Sequence, residues 1–204
     1  MAFTIVPLVE GHGEVRAVPE LFRRIIAAIN LGVRIEIGRP VRQPREKLLK
    51  DSELHRALDL AAHEVGQNGA IFILIDSEGA CPAEAGPELL ARARAARSDQ
   101  RISVVLAHKE FEAWFLASAA SLRGFRGLRD DVENHGDPES VQGCKEWLTT
   151  QMPMTSRYSP TADQAAFAMT FDMELARRNA PSFDKLWREF ELTCQHARSL
   201  LTDA

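Results

Sequence analysis

Two apolar runs in this chain each stop on carboxylates and glycine, and that pattern narrows the fold more than any other feature. Residues 2–9 are Ala-Phe-Thr-Ile-Val-Pro-Leu-Val and break into Glu10-Gly11-His12-Gly13-Glu14. Residues 69–75 are Gly-Ala-Ile-Phe-Ile-Leu-Ile and break into Asp76-Ser77-Glu78-Gly79. A short, continuous apolar run bounded by turn residues is how a strand covered on both faces is written in a parallel sheet. Ligands of open α/β sheets collect at the carboxyl ends of such strands. Four carboxylates gathered there repel one another, by about 4 kcal/mol for a pair ~4 Å apart at an effective dielectric of ~20. A hard divalent cation such as Mg²⁺, which takes oxygen ligands, relieves that repulsion. The reading is an α/β enzyme domain that depends on a metal.

Bulk properties set limits. A chain of 204 residues, 45% of them hydrophobic, suits one large domain or a domain with an appendage. The net charge of −4 argues against gripping nucleic acid by overall positive charge. It leaves room for a metal and a local basic groove. Cys81, Cys144 and Cys194 are odd in number and widely spaced, which suggests a reducing compartment, with no disulfide framework and no zinc-type spacing. No signal-peptide pattern opens the chain, and no apolar run reaches the ~20 residues of a membrane helix, so a cytoplasmic protein is expected.

Strand and helix patterns alternate through residue 107. Strands are expected at 3–9, 33–37, 70–75 and 102–107, the second half-exposed and near a sheet edge because Val33, Ile35 and Ile37 alternate with Arg34 and Glu36. Helices are expected at 14–30, 45–65 and 87–98. Alternation of this kind favours a parallel sheet with helices on both faces. Beyond residue 107 the pattern changes. Residues 110–120 look helical, 123–139 read as a loop, a helical piece surrounds Lys145-Glu146-Trp147-Leu148, and helices are expected at 161–178 and 182–202. The division is an α/β core over 1–120 and a mainly helical extension over 121–204.

The strings Val9-Glu10-Gly11-x-x-Glu14 and Ile75-Asp76-x-Glu78-Gly79 resemble the Toprim domain of topoisomerases, primases and OLD-class nucleases. That domain has a glutamate after its first strand and an acidic pair after its third. The whole chain is similar to the Toprim-like DUF4276 family. Glu110-Phe111-Glu112-Ala113-Trp114-Phe115-Leu116-Ala117, Tyr158-Ser159-Pro160-Thr161-Ala162-Asp163 and Ala180-Pro181-Ser182-Phe183 carry this likeness over about residues 3–190. Two departures are visible: Asp76-x-Glu78 replaces the commoner D-x-D, and Ser118 stands where the family often has Asp. The resemblance implies a Toprim-like open sheet and a Mg²⁺ or Mn²⁺ site made by Glu10, Glu14, Asp76, Glu78 and Glu112, with Glu110 as second choice to Glu112. It also implies phosphodiester hydrolysis on DNA or RNA, in bacterial anti-phage defence, beside an ATPase partner of the AAA or ABC kind. The chain itself lacks the Gly-Lys-Ser/Thr ending of a phosphate-binding loop. Catalysis would rest on Glu10, Asp76, Glu78 and a cation, Lys145 or Lys109, to offset charge in the transition state.

Asp76 and Glu78 share one side if the backbone stays extended, so both could reach one ion. Glu14 also suits a helix start for dipole reasons alone. His12 and His108 face the same end of the sheet and could ligate metal or carry a proton, although loop histidines are commonly just exposed. Arg92, Arg94, Arg97 and Arg101 form one basic run, and Arg123, Arg126 and Arg129 a second. Either could hold a phosphate backbone, or simply be a solvated face. Two other functions compete with the nuclease: a non-catalytic subunit regulating an ATPase, and a phospho-acceptor domain in which Asp76 takes a phosphoryl group. Self-association is compatible with all three.

Overall fold

The computed structural model describes residues 2–202. Its centre is a parallel sheet of five strands: β1 (Phe3–Val9), β2 (Ile35–Ile37), β3 (Val41–Arg42), β4 (Gly69–Asp76) and β5 (Arg101–Ala107). The order is β2-β1-β4-β5, and β3 also pairs with β1. Phe3 to Ile5 lie beside β2, and Leu8 and Val9 lie beside Val41 and Arg42 of β3. The edge is thus one strand's worth of chain in two pieces, interrupted at Gly38-Arg39-Pro40. The half-buried pattern of β2 agrees with the expected edge position.

Successive residues of each strand face opposite sides. Phe3, Ile5, Phe72, Leu74 and Val105 pack with α1 (Glu14–Ile29) and α9 (Pro181–Thr202). Val6, Leu8, Ile71, Ile73, Val104 and Leu106 pack with α3 (Asp51–Val65) and α4 (Pro82–Ala96). Helices therefore cover both faces. The first of these clusters continues without a break into Trp114, Phe115, Phe167, Phe171 and Phe183, so the chain after β5 is built onto the α1/α9 side.

Several boundaries differ from the sequence reading. The helix expected at 45–65 breaks at Leu49 and Lys50 into α2 (Arg45–Leu48) and α3. The helix expected from 87 starts at Pro82, where proline fits the first turn because the missing N–H has no intrahelical partner there. The segment 110–120 holds only the short α5 (Ala113–Leu116) and a 3-10 turn, Ala119–Leu122. The piece around Lys145 is α6 (Cys144–Thr150). The helix expected at 161–178 is a π-helical turn, Pro160–Gln164, followed by α7 (Ala165–Thr170) and α8 (Met173–Asn179). Asp172 separates the last two by capping α8, its side chain accepting the N–H of Leu175 at 2.9 Å. Among the described residues no helix is long and apolar enough to cross a membrane.

Candidate metal centre

The strand order places a crevice. From β1 the chain crosses to β2 and β3 on one side, whereas β4 and β5 add on the other. The connections diverge between β1 and β4, and in parallel sheets ligands bind outside the carboxyl ends at such a switch. Glu10 leaves β1 there, and Asp76 is the last residue of β4.

Glu14, the first residue of α1, is 6% exposed and bends back over the turn. Its Oε2 accepts the N–H groups of Glu10 at 3.1 Å and Gly11 at 3.2 Å. Asp76 is 8% exposed, and its Oδ1 accepts the N–H of Phe111 at 2.7 Å. One carboxylate oxygen from each of Glu10, Glu14 and Asp76 lies within 4.8 Å of the other two.

This closeness is costly. Burial pushes Glu10 up to about 7, with Glu78 adding repulsion and the backbone of Asp76 opposing it. Burial, then the charge of Glu10, pushes Glu14 up to about 7. Burial, then Glu14, Glu112 and Glu10, holds Asp76 well above the usual carboxylate range. Oε2 of Glu10 is buried without a hydrogen-bond partner. Three converging hard oxygen donors, with one carboxylate oxygen of Glu10 left unpartnered, fit a small divalent cation such as Mg²⁺ or Mn²⁺.

Beside the trio lies a second, partly neutralised acidic layer. Glu112 is fully buried. Its Oε1 accepts the Tyr158 hydroxyl at 3.0 Å and the Gln164 amide at 3.4 Å, and its Oε2 lies 3.2 Å from Lys145 Nζ. Burial raises its pKa and Lys145 opposes the rise. Lys145 also binds Glu110 Oε2 at 2.6 Å, while Glu110 Oε1 accepts the N–H of Cys144 at the start of α6. Nearby carboxylates, Glu112 foremost, raise the Lys145 pKa against the effect of burial, so the ammonium stays charged. A cleft of about 540 Å³ is lined by Glu10, Asp76, Glu78, Lys109, Glu110 and Lys145, among others.

Glu78 stands apart from the trio. Strand geometry ends at Asp76, and Glu78 takes a left-handed backbone with φ of 52°. The two side chains therefore do not share one face of an extended segment. The Glu78 side chain is 68% exposed and points to Arg45 at 3.4 Å. Most arginines of the two basic runs are engaged by carboxylates. Arg92 pairs with Asp51, Arg97 with Asp59 and Asp99, Arg123 with Glu133, Arg126 with Asp163, and Arg129 with Asp131. Arg94 is exposed on α4. His12 is exposed in the turn before α1, and His108 Nδ1 lies 3.4 Å from Glu139 rather than in the trio. Cys81, Cys144 and Cys194 are free.

The sequence reading missed Arg42, Arg45 and Gln164. Arg42 ends β3 and Arg45 opens α2, two elements too short to carry a periodic signal of their own. Gln164 lies in a π-helical turn, which no local pattern announces. Tyr158 belongs to the Tyr158-Ser159-Pro160 string, so its place was marked but not its partner.

Comparison with curated proteins and with solved structures gives no match. A family model described as "Domain of unknown function (DUF4276)" matches residues 9–191, and the chain belongs to that family.

Proposed function

We propose that this protein is a Toprim-like, divalent-metal-dependent phosphodiesterase acting on nucleic acid. The observation that carries the reading is the convergence of Glu10, Glu14 and Asp76 at the carboxyl ends of β1 and β4. These three would hold Mg²⁺ or Mn²⁺. Bound there, the ion supplies a water of lowered pKa and positive charge for the phosphoryl oxygens. The chain's own residues do the rest. Lys145 places a permanent ammonium in the cleft, where it can meet a non-bridging phosphoryl oxygen. Glu110 and Glu112 fix that ammonium, and Tyr158 and Gln164 fix Glu112. The expected activity is Mg²⁺- or Mn²⁺-dependent cleavage of DNA or RNA that vanishes in Glu10→Ala and Asp76→Ala. Cleavage that persists in both variants removes the proposal.

A second reading, a non-catalytic subunit of an AAA- or ABC-type ATPase complex, draws support from the pairing of the arginine runs with the protein's own carboxylates. Tight binding to such an ATPase, without Mn²⁺ binding and without cleavage, would select it.

A further inference from the structure

Two arginines outside the basic runs are anchored at the strand ends that carry the acidic trio. Register sets Arg42 of β3 beside Val9, the residue before Glu10. Its guanidinium reaches the Glu10 carbonyl at 3.3 Å. Arg45 donates from Nε to the Asp76 carbonyl at 3.0 Å and from a terminal nitrogen to the Ser77 carbonyl at 3.3 Å. Among the described residues no carboxylate pairs with Arg42, which is exposed. Arg45 has one, Glu78, at 3.4 Å, and the Glu78 side chain is largely exposed. The Arg45 side chain is held by backbone carbonyls and is only 19% exposed, whereas Glu78 is held by little else and lines the cleft. Anchored guanidinium groups are suited to bidentate recognition of phosphate.

We infer that Arg42 and Arg45 form the lip that takes the phosphodiester backbone of the substrate, and that Glu78 covers the free side of Arg45 as a carboxylate which an incoming phosphate displaces. The inference rests on the nuclease reading for its substrate class. It gives Glu78 a role opposite to that of a metal ligand, so the two roles predict opposite results. An exposed ion pair contributes little, and freeing Arg45 from it should tighten phosphate binding by roughly three-fold. An arginine that contacts one backbone phosphate should lower the salt slope of binding by about 0.7 to 0.9 when neutralised.

The test uses the full chain, a short labelled single-stranded oligonucleotide in Ca²⁺, and separate Mn²⁺ titrations. Glu78→Gln should bind the oligonucleotide roughly three-fold more tightly and keep its Mn²⁺ affinity within about two-fold. Arg42→Gln should bind more weakly with the reduced salt slope and unchanged Mn²⁺ affinity. Arg45→Lys, which keeps the charge but loses the fork, should also bind more weakly, and an unchanged melting temperature confirms that its turn stays folded. Glu78→Gln losing Mn²⁺ affinity to the degree that Asp76→Asn does would overturn the inference. So would wild-type affinity and slope in Arg42→Gln and Arg45→Lys, or no oligonucleotide binding by a wild-type protein that binds Mn²⁺. Loss of Mn²⁺ binding in the wild type strikes the metal reading alone, and the Arg42→Gln slope still decides the lip.

Discussion

A carboxylate buried beside other carboxylates is held in the protein only because its proton, or a cation, neutralises it. Glu14 illustrates the linkage. Its pKa rises from 4.5 to about 7 on folding, chiefly through burial. Below about pH 4.5 both folded and unfolded chains carry the proton, and nothing is lost. Between pH 4.5 and 7 the unfolded chain binds fewer protons than the folded one, so stability falls as pH rises. For a full shift of this size the loss is roughly 3 kcal/mol. Thermal melts of metal-free protein should therefore show a falling melting temperature from pH 5 to 7.5, and Mn²⁺ at a hundred times its dissociation constant should restore about 2.7 kcal/mol. A flat profile would mean that the trio is not strained. Asp76→Asn separates the two costs. Asparagine keeps an acceptor for the Phe111 N–H but cannot ionise, so it takes one acid out of the trio. It should raise the metal-free melting temperature by a few degrees, at about 2–4 °C per kcal/mol for a chain of this size, and abolish the rise caused by Mn²⁺.

At the scale of elements, the site depends on a turn and a π-helical turn pressed together. Gly13 precedes α1 with an ordinary helical φ of −66°, so conformational freedom is not why glycine is there. A Cβ at this position would meet the Gln164 amide oxygen and would lie 2.7 Å from the Pro160 carbonyl oxygen. The close approach lets Gln164 reach Glu112 from the C-terminal half of the chain. Gly13→Ala should cost about 1–3 kcal/mol through overpacking and weaken Mn²⁺ binding with it, by differential scanning fluorimetry and metal titration. Tyr158→Phe is a finer probe, because the ring stays and only the hydroxyl donor to Glu112 goes. Taking one donor from a buried carboxylate should cost roughly 1–3 kcal/mol, read from a denaturant midpoint. A neutral result would mean that Glu112 is already protonated or rehydrated.

Across the whole molecule, one aromatic core couples the sheet to the C-terminal helices. Phe190 of α9 stacks on Phe72 of β4 with ring centroids 4.5 Å apart and meets Phe22 of α1 edge-on at 4.6 Å. Trp114 packs edge-on against Phe183, and Phe115 against Phe167 and Phe171. The same cluster runs from β1 to α9, so elements distant in sequence share one packed core. Phe190→Ala should cost about 3–5 kcal/mol by urea unfolding, since a buried ring leaves a cavity that the surrounding strands and helices fill only in part. Loss of Mn²⁺ affinity alongside stability would show that this core also positions the acids.

The strands were legible because a buried parallel strand must be apolar on both faces, and residues 5–9, 70–75 and 104–107 are apolar at every position. Glu10 and Asp76 were legible for the same reason: an acid directly after such a run has no core role to fill. Helix ends after β5 were not, since short helices there are fixed by packing of Phe115, Phe167 and Phe171 rather than by periodicity. Nor could the sequence foresee that Glu78 would turn left-handed toward Arg45, or that the arginine runs would be paired internally. Local composition determined which segments are strands and where their acidic stops fall, because burial selects residue types one at a time. Only the tertiary structure decided which charges meet, because that depends on the order of strands and the path of each connection, and no residue carries that information alone.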